Sequence, residues 1–428
     1  MIIILIALIL IGYFIYDQKN FIYALMVFYL LFDMFDGFYK DLKVFAAIRY
    51  VLPLIMVIAY IIANKAIKAK DGIFFLLSAY LIALVIFNHG HLILSAKTTF
   101  AVIITLSMVI VGRYFGTQRQ FITEFEPFNR FMLIAIPIYI AYANIFRVGD
   151  SYSSSFTTGF LDTSRMYIAP IVIFMGVHYV LNSKKNSLFL KTVDITFITL
   201  NIINLMVITR RTSVGMLAFA IILYAVINGK VIFKLATVFV ILVGIMILAY
   251  PLYEGQLQAQ LAERERIQDV GSYEDTEPRY QEVLFMIQHF ENENDPKQVF
   301  FGVQLFDTTD FGIRYFGYGR PIHSDINMII YSTGLIGLTL FLLFFITYFI
   351  ADNSKIASEN KMIYYPLLIM LLIVLIPGRF IGTFTFGPLL ILLLSGTKYS
   401  RSKKRTQTIV QKRKGIPMHQ RIVQTPTT

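Results

Sequence analysis

His323 lies in the run Gly319-Arg320-Pro321-Ile322-His323-Ser324-Asp325, where a polar segment gives way to a long apolar one. Pro321 fixes its own φ and pushes Arg320 toward extended geometry. Ser324 or Asp325 can then cap a helix that starts beside them. An imidazole at the positive end of that helix is held neutral, the state in which a general base takes a proton from a hydroxyl. A purely structural histidine at an interface is the other reading. Eleven residues downstream, Gly334-Leu335-Ile336-Gly337 forms a small-xx-small patch where another helix can approach closely.

A second candidate is the pair Arg210 and Arg211, in Thr209-Arg210-Arg211-Thr212-Ser213 between two apolar runs. Burying one arginine at membrane depth costs roughly 2.5–3.5 kcal/mol. A charge-assisted contact with an anion contributes about 1.5–3 kcal/mol, and a guanidinium fork fits phosphate oxygens. The pair therefore reads as an anion site, with an internal ion pair or snorkelling as the alternatives. Arg279 and Arg320 are further candidates of the same kind. Asp33 and Asp36, three apart on one helix face, could position a hydroxyl or a metal, but an ion pair with Arg49 or Lys40 is the expected role. His89 and His91 have no carboxylate nearby in sequence and read as loop histidines. Asn201 and Asn204 read as interhelical hydrogen-bond glue.

These residues must be positioned by membrane helices. The chain has 428 residues, is 57% hydrophobic and only 15% charged, and has a mean hydropathy of +0.67. A soluble domain carries about a quarter charged residues, so soluble enzyme folds are excluded. There is no cysteine, which excludes disulfides, thiolate metal sites and cysteine nucleophiles. Runs near or above the roughly 18 apolar residues that cross a bilayer predict an all-α polytopic protein with about 12–13 transmembrane helices. The candidate spans are 2–16, 21–38, 45–63, 72–87, 98–112, 131–146, 166–182, 194–209, 214–228, 231–253, 326–350, 362–377 and 380–397. The first reads as a retained span rather than a cleaved signal.

The segmentation is a transmembrane bundle over 1–253, a large external loop over 254–325, C-terminal spans over 326–397 and a basic tail over 398–428. The tail has nine Lys/Arg and no acid, so it is expected on the cytoplasmic side. Counting back makes 64–71, 113–130, 183–193, 229–230 and 351–361 cytoplasmic loops, all carrying lysine or arginine. The 254–325 loop falls outside, with fourteen acids against six basic residues. The net charge of +12 is thus mostly topology rather than a nucleic-acid signal. Within the loop, Asp275-Thr276-Glu277-Pro278 reads as a helix start, followed by Tyr280, Val283, Leu284, Ile287 and Phe290 at helical spacing. Residues 300–320 read as irregular backbone on the membrane surface.

His323-Ser324, nine residues, then Gly334-x-x-Gly337 resembles the motif of the O-antigen ligase and polymerase superfamily, found where that family's large external loop re-enters the membrane. Thr209-Arg210-Arg211-Thr212-Ser213 is similar to its Thr/Ser–Arg element, with Arg-Arg where Ser-Arg is usual. Glu277-Pro278-Arg279-Tyr280 resembles the arginine-then-helix that opens its loop. The resemblance covers about residues 190–350.

It implies an enzyme without metal or nucleotide sugar as cofactor. Such an enzyme takes a glycan from undecaprenyl diphosphate on the outer face of the bacterial inner membrane and passes it to a hydroxyl of another glycan. In that reading His323 is the base, Arg210 or Arg211 with Arg279 and Arg320 binds the diphosphate, and Ser324, Gly334, Gly337, Asp33 and Asp36 support the site. Partners would be the lipid-linked donor, the glycan acceptor, the bilayer and a chain-length regulator. Polymerisation of repeat units for O-antigen, capsule or exopolysaccharide is the first expectation, and ligation to lipid A–core the second. A flippase of lipid-linked glycans is the rival from another class; it would place charges at mid-membrane depth along a central path.

Overall fold

The computed structural model describes residues 2–39, 43–149, 156–161, 163–182, 187–208, 211–229, scattered positions from 232 to 262, 278–293, 295–376 and 380–400. Among them the chain is all-helical. Eight helices are long and apolar enough to cross a membrane, and the described residues hold three shorter apolar helices of 15–17 residues, Ile2–Tyr16, Ala47–Ala63 and Arg211–Ile227. The protein is an all-α polytopic membrane protein.

The first nine helices are α1 (Ile2–Tyr16), α2 (Phe21–Phe35), α3 (Lys43–Ala63), α4 (Gly72–Phe87), α5 (Leu92–Gln118), α6 (Phe121–Phe146), α7 (Ile168–Asn182), α8 (Leu188–Val207) and α9 (Arg211–Ile227). After the sparsely described stretch come α10 (Pro278–Glu293), α11 (Pro296–Phe301), α12 (Thr309–Phe316), α13 (Asp325–Phe345), α14 (Ser358–Leu375) and α15 (Gly387–Tyr399).

Three sequence expectations are corrected here. Residues 113–130, expected as a loop, are helical except for the hairpin at Arg119 and Gln120. Their charges need no loop because they find partners within the bundle: Arg130 pairs with Asp194 on α8 at 2.6 Å and with Glu126 at 3.0 Å. The expected span 380–397 becomes a helix only at Gly387, after a non-helical run from Phe380 to Phe386. The expected irregular 300–320 contains the end of α11 and all of α12.

Contacts sort the helix ends into two groups. At one end, Arg113 near the end of α5 grips Asp71 at the start of α4 with two bonds of 2.6 Å. Tyr348 donates to the same carboxylate at 2.7 Å, and Lys398 of α15 donates to the Tyr348 carbonyl at 2.8 Å. Asn182 of α7 donates to Tyr224 of α9 at 2.8 Å, which places the ends of those helices together as well. The opposite end gathers the α2–α3 turn, the starts of α5, α7 and α9, helices α10–α12, and the start of α13. The described helices from α1 to α9 alternate between the two ends in chain order, and the expected span 231–253 lies largely outside the described residues.

α15 is buried from Gly387 to Lys398 and lies against α5. Glycine makes this closeness possible: a Cβ on Gly112 would meet the Leu392 carbonyl, and one on Gly116 the Gly396 carbonyl. This Gly112-x-x-x-Gly116 stripe is a helix-packing signal of the membrane type.

α13 is broken at Gly334, which has φ +62°. Only a residue without a Cβ fits, since a side chain there would meet the Phe300 backbone. The break exposes backbone acceptors, and both neighbouring layers fill them. Val303 N–H donates to the Tyr331 carbonyl at 2.8 Å, and Tyr80 of α4 donates to the Thr333 carbonyl at 2.7 Å. The patch expected to pack another helix is therefore a kink clasped by α11 and the segment after it. At Gly337 an added Cβ would meet Thr333 of the same helix.

Candidate functional site

The return path from α12 to α13 is fastened at several points before it reaches His323. Gly312 lets the backbone of Arg320 lie directly on α12, where a Cβ would collide. Thr308 Oγ1 accepts from Ile322 N–H at 3.1 Å. Both carboxylate oxygens of Glu282, on α10, accept from His323 N–H at 3.1 and 3.2 Å. Ser324 is the N-cap of α13, its Oγ accepting from Asn327 N–H. His323 thus sits just before the positive end of that helix, as the sequence led us to expect.

Glu282 is the residue that sequence reasoning missed. It is 1% exposed, and one carboxylate oxygen lies 3.1 Å from His323 Nδ1 and 2.8 Å from Arg320 Nη2. Arg320 lies over the Phe316 ring at 4.5 Å, its Nε–H is directed at His323 Nδ1 from 3.3 Å, and its Nη2 lies 3.1 Å from the same atom. Nδ1 cannot donate to the carboxylate and accept from the guanidinium in one tautomer. The carboxylate decides: an N–H donated to an anion is the stronger bond, and Arg320 is already engaged by Glu282 and Phe316. We therefore assign the proton to Nδ1. The imidazole, 28% exposed at its side chain, then presents Nε2 as its basic nitrogen. A buried carboxylate bonded to an imidazole is a pairing compatible with general-base chemistry.

The expected hydrophobic face of α10 is inward only in part: Phe290 packs against the loop core, and the side chain of Tyr280 lies outside the described residues. Glu282, Met286 and His289 point inward against Phe311, Ile322 and Tyr331, while Val283, Leu284 and Ile287 are exposed. Glu282 recurs at i, i+4 and i+7 with Met286 and His289, which was the available signal for a partnered acid on a packed face.

Asp325, two residues after His323, accepts from the backbone N–H groups of Phe380 and Ile381 at 2.7 and 2.9 Å. The non-helical run 380–386 then reaches a second charged cluster. Thr385 donates to buried Asp33, and Ser164 bonds Thr383 at 3.2 Å. Asp33 pairs with Arg49, and Asp36 pairs with Arg49 at 3.2 Å and Arg165 at 2.8 Å. Asp33 and Asp36 are thus neutralised by arginine, and their contacts are those of a structural brace.

The arginines do not all converge. Arg320 is compensated by Glu282, which makes it an orienting group rather than an open anion receptor. Arg211 is the exposed first residue of α9, at the same end of the bundle as His323. Arg210, Arg379 and the side chain of Arg279 lie outside the described residues. Elsewhere, Asn201 donates to the Leu133 carbonyl of α6 at 2.8 Å, and His91 N–H donates to Asp307 at 3.0 Å. Among the described residues no group of three or more His, Cys, Asp or Glu could hold a metal ion.

His289 carries a pH dependence. Its burial between α10, α11 and α12 holds its pKa below the ordinary 6.5, with Gln298 and Tyr315 each 3.2 Å from a ring nitrogen. The folded state thus resists a proton that the unfolded state accepts. The stability from neutral His289 is complete above pH 6.5 and falls as pH drops through the lower folded value. Amide exchange in α10–α12, corrected for its intrinsic pH dependence, should speed up as pH falls below about 6.5. The His289→Gln variant should lose that dependence.

No family model, curated protein or solved structure matches the chain.

Proposed function

We propose that this protein is a metal-independent membrane glycosyltransferase that polymerises undecaprenyl-diphosphate-linked oligosaccharide repeat units on the outer face of the bacterial inner membrane. The observation that carries this reading is the Glu282–His323 pair, held where a polar loop re-enters the bundle. Its orientation follows from charge. Lys65, Lys68, Lys70, Lys191 and Lys355 belong to the end opposite His323, and short basic segments stay cytoplasmic; Lys184, Lys185 and the tail beyond residue 400 lie outside the described residues. His323 then faces the exterior, beside α10–α12 as the folded part of an external loop.

In this mechanism His323 Nε2 takes the proton of the acceptor hydroxyl as its oxygen attacks the anomeric carbon. The bond from that carbon to the diphosphate oxygen breaks, and the diphosphate departs with the electron pair. Glu282 stabilises the imidazolium that forms, and Arg320 holds Glu282 in place. Binding of the diphosphate falls to Arg210, Arg211 and Arg279. Asp33 and Asp36 brace the segment that Asp325 ties to the site.

The test is purified protein in nanodiscs given only the lipid-linked repeat unit. A ladder of products with release of diphosphate lipid is expected. Product that forms only after a lipid A–core acceptor is added would make the protein a ligase, and no transfer under either condition would overturn the reading.

A further inference from the structure

We infer that α11 is an interfacial mooring: its aromatic end, Phe300 and Phe301, rests in the headgroup–hydrocarbon boundary of the bilayer beside the kink of α13. The chemistry it recognises is a lipid surface, and the inference stands independently of the reaction proposed above.

Depth is the first argument. Beyond its break at Gly334, α13 with its terminal π-turn runs unbroken from Leu335 to Ile350, or about 24 Å at 1.5 Å per residue. A hydrocarbon core is about 30 Å thick. The exposed charges of Asp352 and Lys355 mark the far edge of that core. Measured from there, the unbroken part covers most of that thickness and stops short of the near edge. Gly334 therefore lies just inside it. The backbone of Phe300 and Phe301 is the surface a Gly334 side chain would strike, so α11 ends at that depth.

Exposure is the second argument. Phe300 and Phe301 are 50% and 47% exposed, next to Leu335 at 44%. Leu335 opens the outward apolar stripe that continues through Leu342, Leu343, Ile346 and Ile350. The two phenylalanines thus extend a surface that lipid already has to cover, and two exposed phenylalanines in water would have no such cover. α11 is also graded along its axis. It begins at Asp295 and exposed Lys297 and ends on the aromatic pair, the order expected of a segment dipping from water into an interface. With no tryptophan in the chain, phenylalanine and tyrosine must supply the interfacial aromatics.

The absence of tryptophan also makes the test clean. Phe300→Trp and Phe301→Trp each place a single tryptophan in the protein, excited selectively beyond the tyrosine absorption, and reading both covers the failure of either to fold. Each is reconstituted in nanodiscs containing lipids brominated near the top of the acyl chains, and titrated with aqueous iodide. Leu342→Trp serves as the lipid reference and Tyr318→Trp as the aqueous one. We expect blue-shifted emission, bromolipid quenching approaching that of Leu342→Trp, and iodide quenching several-fold weaker than for Tyr318→Trp. Iodide quenching equal to that of Tyr318→Trp would overturn the inference. Protection from both quenchers would overturn it too, because protein rather than lipid would then cover the pair.

Discussion

Glu282→Gln should lower turnover by about 10² to 10⁴-fold while leaving donor affinity nearly unchanged. The amide has the volume of the carboxylate but can donate a hydrogen bond to Nδ1. That favours the tautomer with the proton on Nε2, so the nitrogen facing the acceptor no longer has a lone pair. The same change removes the anion beside Arg320, which is buried and over Phe316. A stability loss must therefore be separated from a kinetic one. Thermal unfolding in detergent gives the first and single-turnover rates on folded protein give the second. A variant that folds and turns over at the wild-type rate would remove Glu282 from the mechanism.

The second large effect lies at the opposite end of the bundle. Asp71→Asn should destabilise the protein by about 3–5 kcal/mol, because it leaves the Arg113 guanidinium buried without its counter-charge. That guanidinium is 2% exposed, and apart from Asp71 it donates to the Ala66 carbonyl at 2.9 Å. Tyr348 would also lose the charged acceptor it now uses. Replacing both partners by apolar residues, as in Asp71→Leu with Arg113→Met, should recover most of the loss, since a buried pair is costly chiefly when half of it remains. The midpoint of thermal unfolding for the single and double variants measures both. Equal stability of Asp71→Asn and wild type would mean that water reaches Arg113.

Much of the fold was legible because apolar run length is a strong signal in lipid. α1, α2, α4, α7 and α9 lie close to the spans read from sequence. The errors fall where a charge sits inside a helix. Arg113 and Arg130 interrupt apolar runs in sequence, but their partners Asp71 and Asp194 come from other helices, which no local pattern reveals. α15 was overextended because Phe380–Phe386 is as apolar as a helix, whereas its backbone N–H groups bond to Asp325 instead of continuing one.

The site was legible in part for the same reason. His323 and Ser324 were readable from the proline, the cap and the apolar run that follows. Glu282 lies 41 residues away and becomes a partner only when α10 folds back on α13. The ion pair of Arg49 with Asp33 and Asp36 was expected from proximity in sequence, but Arg165 and Thr385 join it only in three dimensions. The Gly112-x-x-x-Gly116 stripe was visible in the sequence and would have identified α5 as a tightly packed helix.

The most direct test of the central claim compares wild type with His323→Ala in nanodiscs supplied with a lipid-linked oligosaccharide, following product length, diphosphate-lipid release and donor binding together. The account predicts elongation by wild type, and a variant that binds donor but turns over about 10² to 10⁴-fold more slowly. Near wild-type turnover by His323→Ala would contradict it, leaving His323 as a structural residue at the mouth of α13.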